Sequence, residues 1–240
     1  MKLIIIRHAE PDYSIDSLTE KGWREANLLA DRLEKMQLDH LFCSPLGRAQ
    51  DTAKPYLERT GRSITVCDWL EEFSGYTFKE NSENGRRPWD QMPAVWTADK
   101  DNYDRDKWIK TDLMQSGDVE QKYRWVCNGL DELLSRYGYR KDGDIYRVER
   151  ENEETVVLFC HFGVECVLLS HILGVSPLPI WHGFVALPSS VTILNTEERE
   201  KGIASFRCSR FGDLSHLYAA DEPESFAARF CETYSSEDRH

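Results

Sequence analysis

The chain has 240 residues, 40% of them apolar and 30% charged, with a formal charge of −12. That is enough apolar material to bury one sizeable core, and the length suits a single domain carrying an insertion better than two independent domains. The acidic balance argues against nucleic acid and anionic membrane surfaces as partners, since both need a basic face; an anionic substrate would have to be held by arginines gathered in a cleft, because charges beyond about 8 Å are screened.

In chain order, residues 2–6 (KLIII) form a short β-branched run that predicts a buried strand, running directly into Arg7-His8. Residues 18–36 place Trp23, Ala26, Ala30, Leu33 and Met36 at helical spacing behind Thr19, a good N-cap. A second strand is predicted at 40–43, followed by Ser44-Pro45 as N-cap and first residue of a helix through Ala49, Ala53 and Leu57. ITVCDWL (64–70) predicts a third strand. Strand–helix alternation then stops between residue 73 and about 115, too long for an ordinary loop, and this stretch reads as an insertion. Helix resumes from Asp118 to Gly138, and 141–154 reads as a charged surface connection. TVVLFC (155–160) is the fourth strand, VECVLLSHILG the next helix, and 190–194 and 203–208 the last strands. The pattern predicts a three-layer αβα sandwich with a mostly parallel central sheet.

The seven cysteines are odd in number and contain no C-x-x-C pair, and Cys43, Cys67 and Cys160 lie in apolar runs. With no signal-like or membrane-length apolar segment, the expected setting is a reducing, cytoplasmic one.

Ligands of open parallel sheets bind beyond the carboxyl ends of the strands. The residues there are Arg7-His8, Ser44 to Arg48, Glu71-Glu72 and His161. A histidine ending one strand is ordinarily structural, but four strand ends delivering two histidines, two arginines and a carboxylate point to a phosphoryl group, which arginines hold by forked hydrogen bonds. The His161/Glu165 spacing would also suit a metal ligand pair, but nothing nearby in sequence completes a ligand set, so no metal is expected.

These residues resemble the histidine phosphatase superfamily, which includes the cofactor-dependent phosphoglycerate mutases. Arg7-His8-Ala9-Glu10 matches its R-H-G/A-E opening, Leu18 to Gly22 its L-T-x-x-G helix start, Ser44 to Ala53 its S-P-x-x-R-A-x-x-T-A segment, Leu70-Glu71-Glu72 its L-x-E, and His161-Phe162-Gly163 its H-G-G. The resemblance implies that His8 is the nucleophile, that Arg7, Arg48 and His161 bind the phosphate, with His161 also belonging to the catalytic set, and that Glu72, selected over Glu71 by the motif, is the proton donor. Two further positions enter the phosphate set: Phe162, which stands where the family has glycine and keeps its backbone N–H, and Ser14, which falls where the mutases carry a phosphate-contacting asparagine. The absence of the mutases' W-N opening favours net hydrolysis of a small phosphate ester, without metal or cofactor, over phosphoryl transfer to a second hydroxyl. A regulatory pseudoenzyme is the other alternative. The insertion, with Tyr76, Phe78, Trp89, Trp96, Tyr103, Trp108 and the pair Arg86-Arg87, reads either as a lid over the leaving group or as a small packed unit of its own. The oligomeric state is left open.

Overall fold

A computed structural model describes residues 1–78, 85–225 and 233–235. Among the described residues there are ten strands: β1 (Lys2–Arg7), β2 (Pro11–Asp12), β3 (Ser17–Leu18), β4 (His40–Cys43), β5 (Thr65–Val66), β6 (Tyr139–Asp142), β7 (Ile145–Val148), β8 (Thr155–Cys160), β9 (Val191–Glu200) and β10 (Ile203–Asp213). The α-helices are α1 (Glu20–Leu33), α2 (Gly47–Thr60), α3 (Pro93–Trp96), α4 (Asp112–Gln115), α5 (Val119–Arg136), α6 (Phe162–Leu173), α7 (Pro177–Gly183) and α8 (Ser215–Tyr218). Eight strands form one sheet in the order β5-β4-β8-β1-β9-β10-β7-β6, while β2 and β3 make a small hairpin. The pairs among β5, β4, β8 and β1 are parallel; those from β1 through β9 to β6 are antiparallel. This is the expected α/β sandwich, its sheet parallel from the β5 edge to β1 and extended by an antiparallel wing.

Period-two alternation in β1 explains the layering. Leu3, Ile4, Ile5 and Ile6 are all fully buried. Ile4 and Ile6 join Leu29 and Leu33 of α1 and Ala49 and Ala53 of α2 in one core, whereas Leu3 and Ile5 join α5, α6 and α7 residues in the other. A strand buried on both faces is apolar at every position, and each such side chain contributes roughly 1.5–3 kcal/mol. The Thr19 hydroxyl accepts from the Gly22 N–H at 3.0 Å and starts α1, as the sequence predicts.

Three expectations need correction. The third strand is only two residues long, because β5 sits at the sheet edge with exposed residues; the chain then folds into a 3-10 turn, Asp68–Leu70, that puts Leu70 in the core. Residues 141–154 are not a simple connection: β6 and β7 make a hairpin about Gly143, whose φ of 60° suits glycine. Its buried Tyr139 and Tyr146 alternate with the outward ion pairs Arg140–Glu149 and Arg147–Asp142. Finally, α2 starts at Gly47 with Leu46 as N-cap, leaving Ser44 free for another task.

The insertion is not packed only on itself. Phe73, Trp108 and Met114 are part of the main core, and Trp89 and Trp96 pack against it, while Tyr76, Phe78 and Tyr103 are exposed; Lys79 to Asn84 lie outside the described residues. Among the described residues, no helix is long and apolar enough to cross a membrane.

Candidate active site

β1 and β8 pair in parallel with Arg7 opposite Cys160, so the next residues, His8 and His161, leave the sheet side by side. The His8 N–H donates to the Cys160 carbonyl at 3.0 Å, and the two imidazoles tilt toward each other with centroids 5.0 Å apart. On the other side of β8, the Ser44 N–H donates to Phe159 at 2.9 Å and fixes the end of β4 beside them.

His8 is fully buried, and its Nδ1 lies 2.8 Å from the Ala9 carbonyl oxygen. A carbonyl only accepts, which places the ring proton on Nδ1 and the lone pair on Nε2. Burial first, then the Arg7 and Arg48 guanidinium groups, push His8 well below the ordinary imidazole value, so the lone pair is available at neutral pH. His161 is likewise pushed well below that value by burial, then by His8 and the same arginines. Its Nε2 is 2.7 Å from Ser44 Oγ. That oxygen also accepts from the Leu46 N–H at 3.2 Å; where the hydroxyl donates to Nε2, His161 carries its own proton on Nδ1.

Arg7 donates to the Ala186 carbonyl and lies over the Phe162 ring, 5.6 Å from its centroid. Arg48 pairs with Asp16 at 2.5 Å and faces the Tyr13 ring at 5.4 Å. Three buried nitrogens of this set, Arg7 Nε, Arg48 Nε and His161 Nδ1, have no partner among the described residues. Unsatisfied buried donors cost about 1–3 kcal/mol each, and an anion is the ligand that would satisfy all three. The first turn of α6, starting at Phe162, adds its positive end to the same rim.

Adjacent carboxylates diverge. Glu71 binds Ser74 at 3.0 Å and Lys122 at 3.7 Å. Glu72 turns to α6, its Oε1 accepting from the N–H groups of Phe73 at 2.7 Å and Val164 at 3.2 Å. Burial pushes the Glu72 carboxyl up, against the Phe73 bond, the two arginines and the Val164 bond, all of which pull it down. A Cβ on Gly163 would lie 2.6 Å from Glu72 Oε1 and 2.8 Å from Trp89 Nε1, so only glycine admits this approach. The Trp89 indole also donates to the Phe73 carbonyl at 3.3 Å, which brings the insertion against the carboxylate.

A profile of the histidine phosphatase superfamily, branch 1, matches residues 3–209. The chain belongs to this superfamily. A probable phosphatase of Schizosaccharomyces pombe is 28% identical over 241 residues, covering 90% of this chain and 95% of the relative. Phosphoserine phosphatase 1 of Hydrogenobacter thermophilus is 26% identical over 213 residues, covering 85% and 90%. The solved mycobacterial glucosyl-3-phosphoglycerate phosphatase shares the fold, with a TM-score of 0.59 at 22% identity over 88% of this chain and 98% of that one. By class this histidine phosphatase is a phosphoric monoester hydrolase.

Of the residues the sequence singles out, Arg7, His8, Arg48, Glu72 and His161 converge, and Phe162 contributes its ring beneath Arg7 as well as the helix start. Ser14 stands apart: it is exposed, and both its N–H and its hydroxyl donate to Asp12 Oδ1 in a local turn of the β2–β3 hairpin. Arg86 donates to the Asp90 carbonyl, while Arg87 stacks 4.1 Å from the Tyr76 ring and keeps one buried nitrogen unpartnered among the described residues. Three supporting residues have roles that the sequence reading does not assign, and Asp16 it does not mention. Asp16 holds Arg48 and the Gly47 N–H, Ser44 orients His161, and Thr52 links the Ala9 N–H at 2.9 Å to the Arg48 carbonyl at 2.7 Å. Ser44 and Thr52 lie within the S-P-x-x-R-A-x-x-T-A segment, which marks them; Asp16, at a φ of 48°, carries only the faint signal of a residue type that tolerates the left-handed region. Among the described residues the other histidines have structural partners, Glu154 for His40, Asp131 for His171, the Leu178 carbonyl for His182 and Ser189 for His216.

Proposed function

We propose that this histidine phosphatase hydrolyses a small phosphomonoester through a phosphohistidine on His8, with no metal required. The observation that carries the reading is the set of three unpartnered buried nitrogens on Arg7, Arg48 and His161 beside a neutral His8. The phosphoryl group sits among those donors, and His8 Nε2 attacks phosphorus in line with the ester oxygen. As the N–P bond forms and the P–O bond breaks, the leaving alkoxide takes the Glu72 proton. The ring becomes cationic, and its Nδ1–H remains on the Ala9 carbonyl. Water then attacks the phosphohistidine, the ionised Glu72 takes the water's proton, and His8 returns to its neutral form. Charge on the equatorial oxygens is met throughout by the guanidinium groups and the His161 N–H.

Hydrolysis, rather than transfer to a second hydroxyl, is supported by the names of the long-spanning relatives, which are phosphatases. The substrates they are named for, phosphoserine among them, support a small organic ester here. The chain works as one domain in which the insertion, residues 73 to about 115, is the lid over the leaving group, a reading supported by Trp89 against Gly163 and Glu72. The six described cysteines are unpaired, in keeping with a reducing, cytoplasmic setting.

Phosphate release from an aryl phosphate and a panel of small phosphomonoesters, with chelator present, tests the reading. Release that withstands the chelator and is lost in His8→Ala is expected. Undiminished release by His8→Ala would overturn the phosphohistidine route, and phosphoryl transfer without free phosphate would make the protein a mutase.

A further inference from the structure

Glu165 lies one turn into α6 from His161, fully buried. Its Oε1 accepts from the Thr192 hydroxyl at 2.6 Å. Thr192 Oγ1 in turn accepts from the Gly212 N–H at 3.1 Å, which fixes the hydroxyl beside the carboxyl. Oε2 is buried with no partner among the described residues, and no ion pair joins Glu165 to Arg7, although each feels the other's charge. The groups facing this carboxyl are Arg7 from β1, Glu72 from the segment after β5, Thr192 from β9, Cys160 from β8, Cys166 on α6 itself and Cys208 from β10. All three thiols are pushed up by burial and stay neutral. Arg7 is therefore the one cation in this group.

We infer that Glu165 is a positioning residue acting through Arg7, a buried carboxyl that takes up a proton when an anion occupies the arginine and thereby makes phosphoryl binding proton-linked. The inference rests on the reading of Arg7 as a phosphate ligand. An ionised Glu165 competes with the bound anion for the field of Arg7, and a dianion on Arg7 in turn removes the charge that favours ionised Glu165. The two charges therefore exclude one another across the guanidinium. Burial supports this by pushing Glu165 up to about 7, against the pull of Thr192 and Arg7, so the exchange falls in the neutral range.

Tungstate, a phosphate mimic that stays dianionic through neutral pH, is the probe. Its binding to the whole protein is measured by calorimetry about one unit below and above the Glu165 value, in two buffers of different ionisation enthalpy. Wild type is expected to bind roughly tenfold more tightly at the lower pH, with proton uptake on binding. Glu165→Gln should bind with little pH dependence and lose the uptake, whereas Thr192→Val, which removes the hydrogen bond favouring the ionised form, should move the fall in affinity to higher pH. Retention of the wild-type pH dependence by Glu165→Gln, or its disappearance in Glu72→Gln instead, overturns the inference. Should Glu165→Gln not fold, an unmoved profile in Thr192→Val overturns it equally. Failure of the underlying reading looks different, because tungstate would then bind Arg7→Ala as tightly as wild type.

Discussion

The rim of strand ends and the insertion that meets it are built on different principles. At the rim, His8, Ser44 and His161 each follow a strand whose register is locked by its neighbours, so the reacting groups are placed by backbone hydrogen bonds. The insertion reaches the same site through side chains: Trp89 on Phe73 and Gly163, and the Gln91 N–H on His182, whose ring stacks on Trp96 at 4.7 Å. Register fixes the chemistry common to a superfamily, and side-chain contacts can be exchanged without disturbing it. The rim should therefore govern the rate on every substrate and the insertion should govern the choice among them.

The largest test of that division is His8→Ala, expected to lower kcat at least a thousandfold on all esters and to abolish the acid-labile phosphoryl-enzyme seen by rapid quench. Glu72→Gln should cost roughly a hundred- to a thousandfold in kcat, most with poor leaving groups, while Glu71→Gln stays near wild type; equal losses in the two would place the acid elsewhere. A pH titration of stability comes next. Glu165 has its folded value raised to about 7 from an ordinary 4.5, so the folded state binds its proton more tightly. Stability from this group is complete at low pH and is lost between those two values, by about 3 kcal/mol in all. Thermal melts should show wild type losing stability relative to Glu165→Gln as pH rises across that window; the background common to both, falling with pH at Glu25, which burial pushes up to about 6, and rising with pH at His8 and His161, which burial pushes down, cancels in the difference. Trp89→Ala opens the Glu72 carboxyl to water and should lower kcat about tenfold, with the alkaline limb of its pH profile moved down, because the acid then loses its proton at lower pH. The smallest effect belongs to Arg86→Ala/Arg87→Ala, with KM rising by about threefold to tenfold for esters with anionic leaving groups and kcat little changed. Identical kinetics on every ester would separate these arginines from substrate choice.

Much of this architecture is legible in the residue pattern, for definite reasons. KLIII and TVVLFC are apolar at every position because both faces of the sheet are covered, and the residues after such a strand are forced onto the rim, so Arg7, His8 and His161 declare themselves. The β6–β7 hairpin does not, because its two buried tyrosines are interleaved with charges that pair across its outer face. β5 is shorter than its apolar run suggests because Leu70 reaches the core from a 3-10 turn rather than from a strand. In the site, the motif spacing separates Glu72 from Glu71, but Asp16 and Trp89 act through contacts between distant segments, which no local period encodes. Ser14 shows the reverse, a position suggestive by resemblance whose hydroxyl is occupied by its own turn.

The setting of His8 has a consequence for the chain as it is made. Its strand comes first, yet it is clasped between β8 and β9: the His8 N–H reaches Cys160, and the His8 carbonyl receives the Ser189 N–H. Both partners emerge from the ribosome long after the nucleophile, and pairing across such separations is slow. The growing chain therefore carries its reactive residue without the surroundings that make it reactive until Cys160 and Ser189 have been made and have folded onto it.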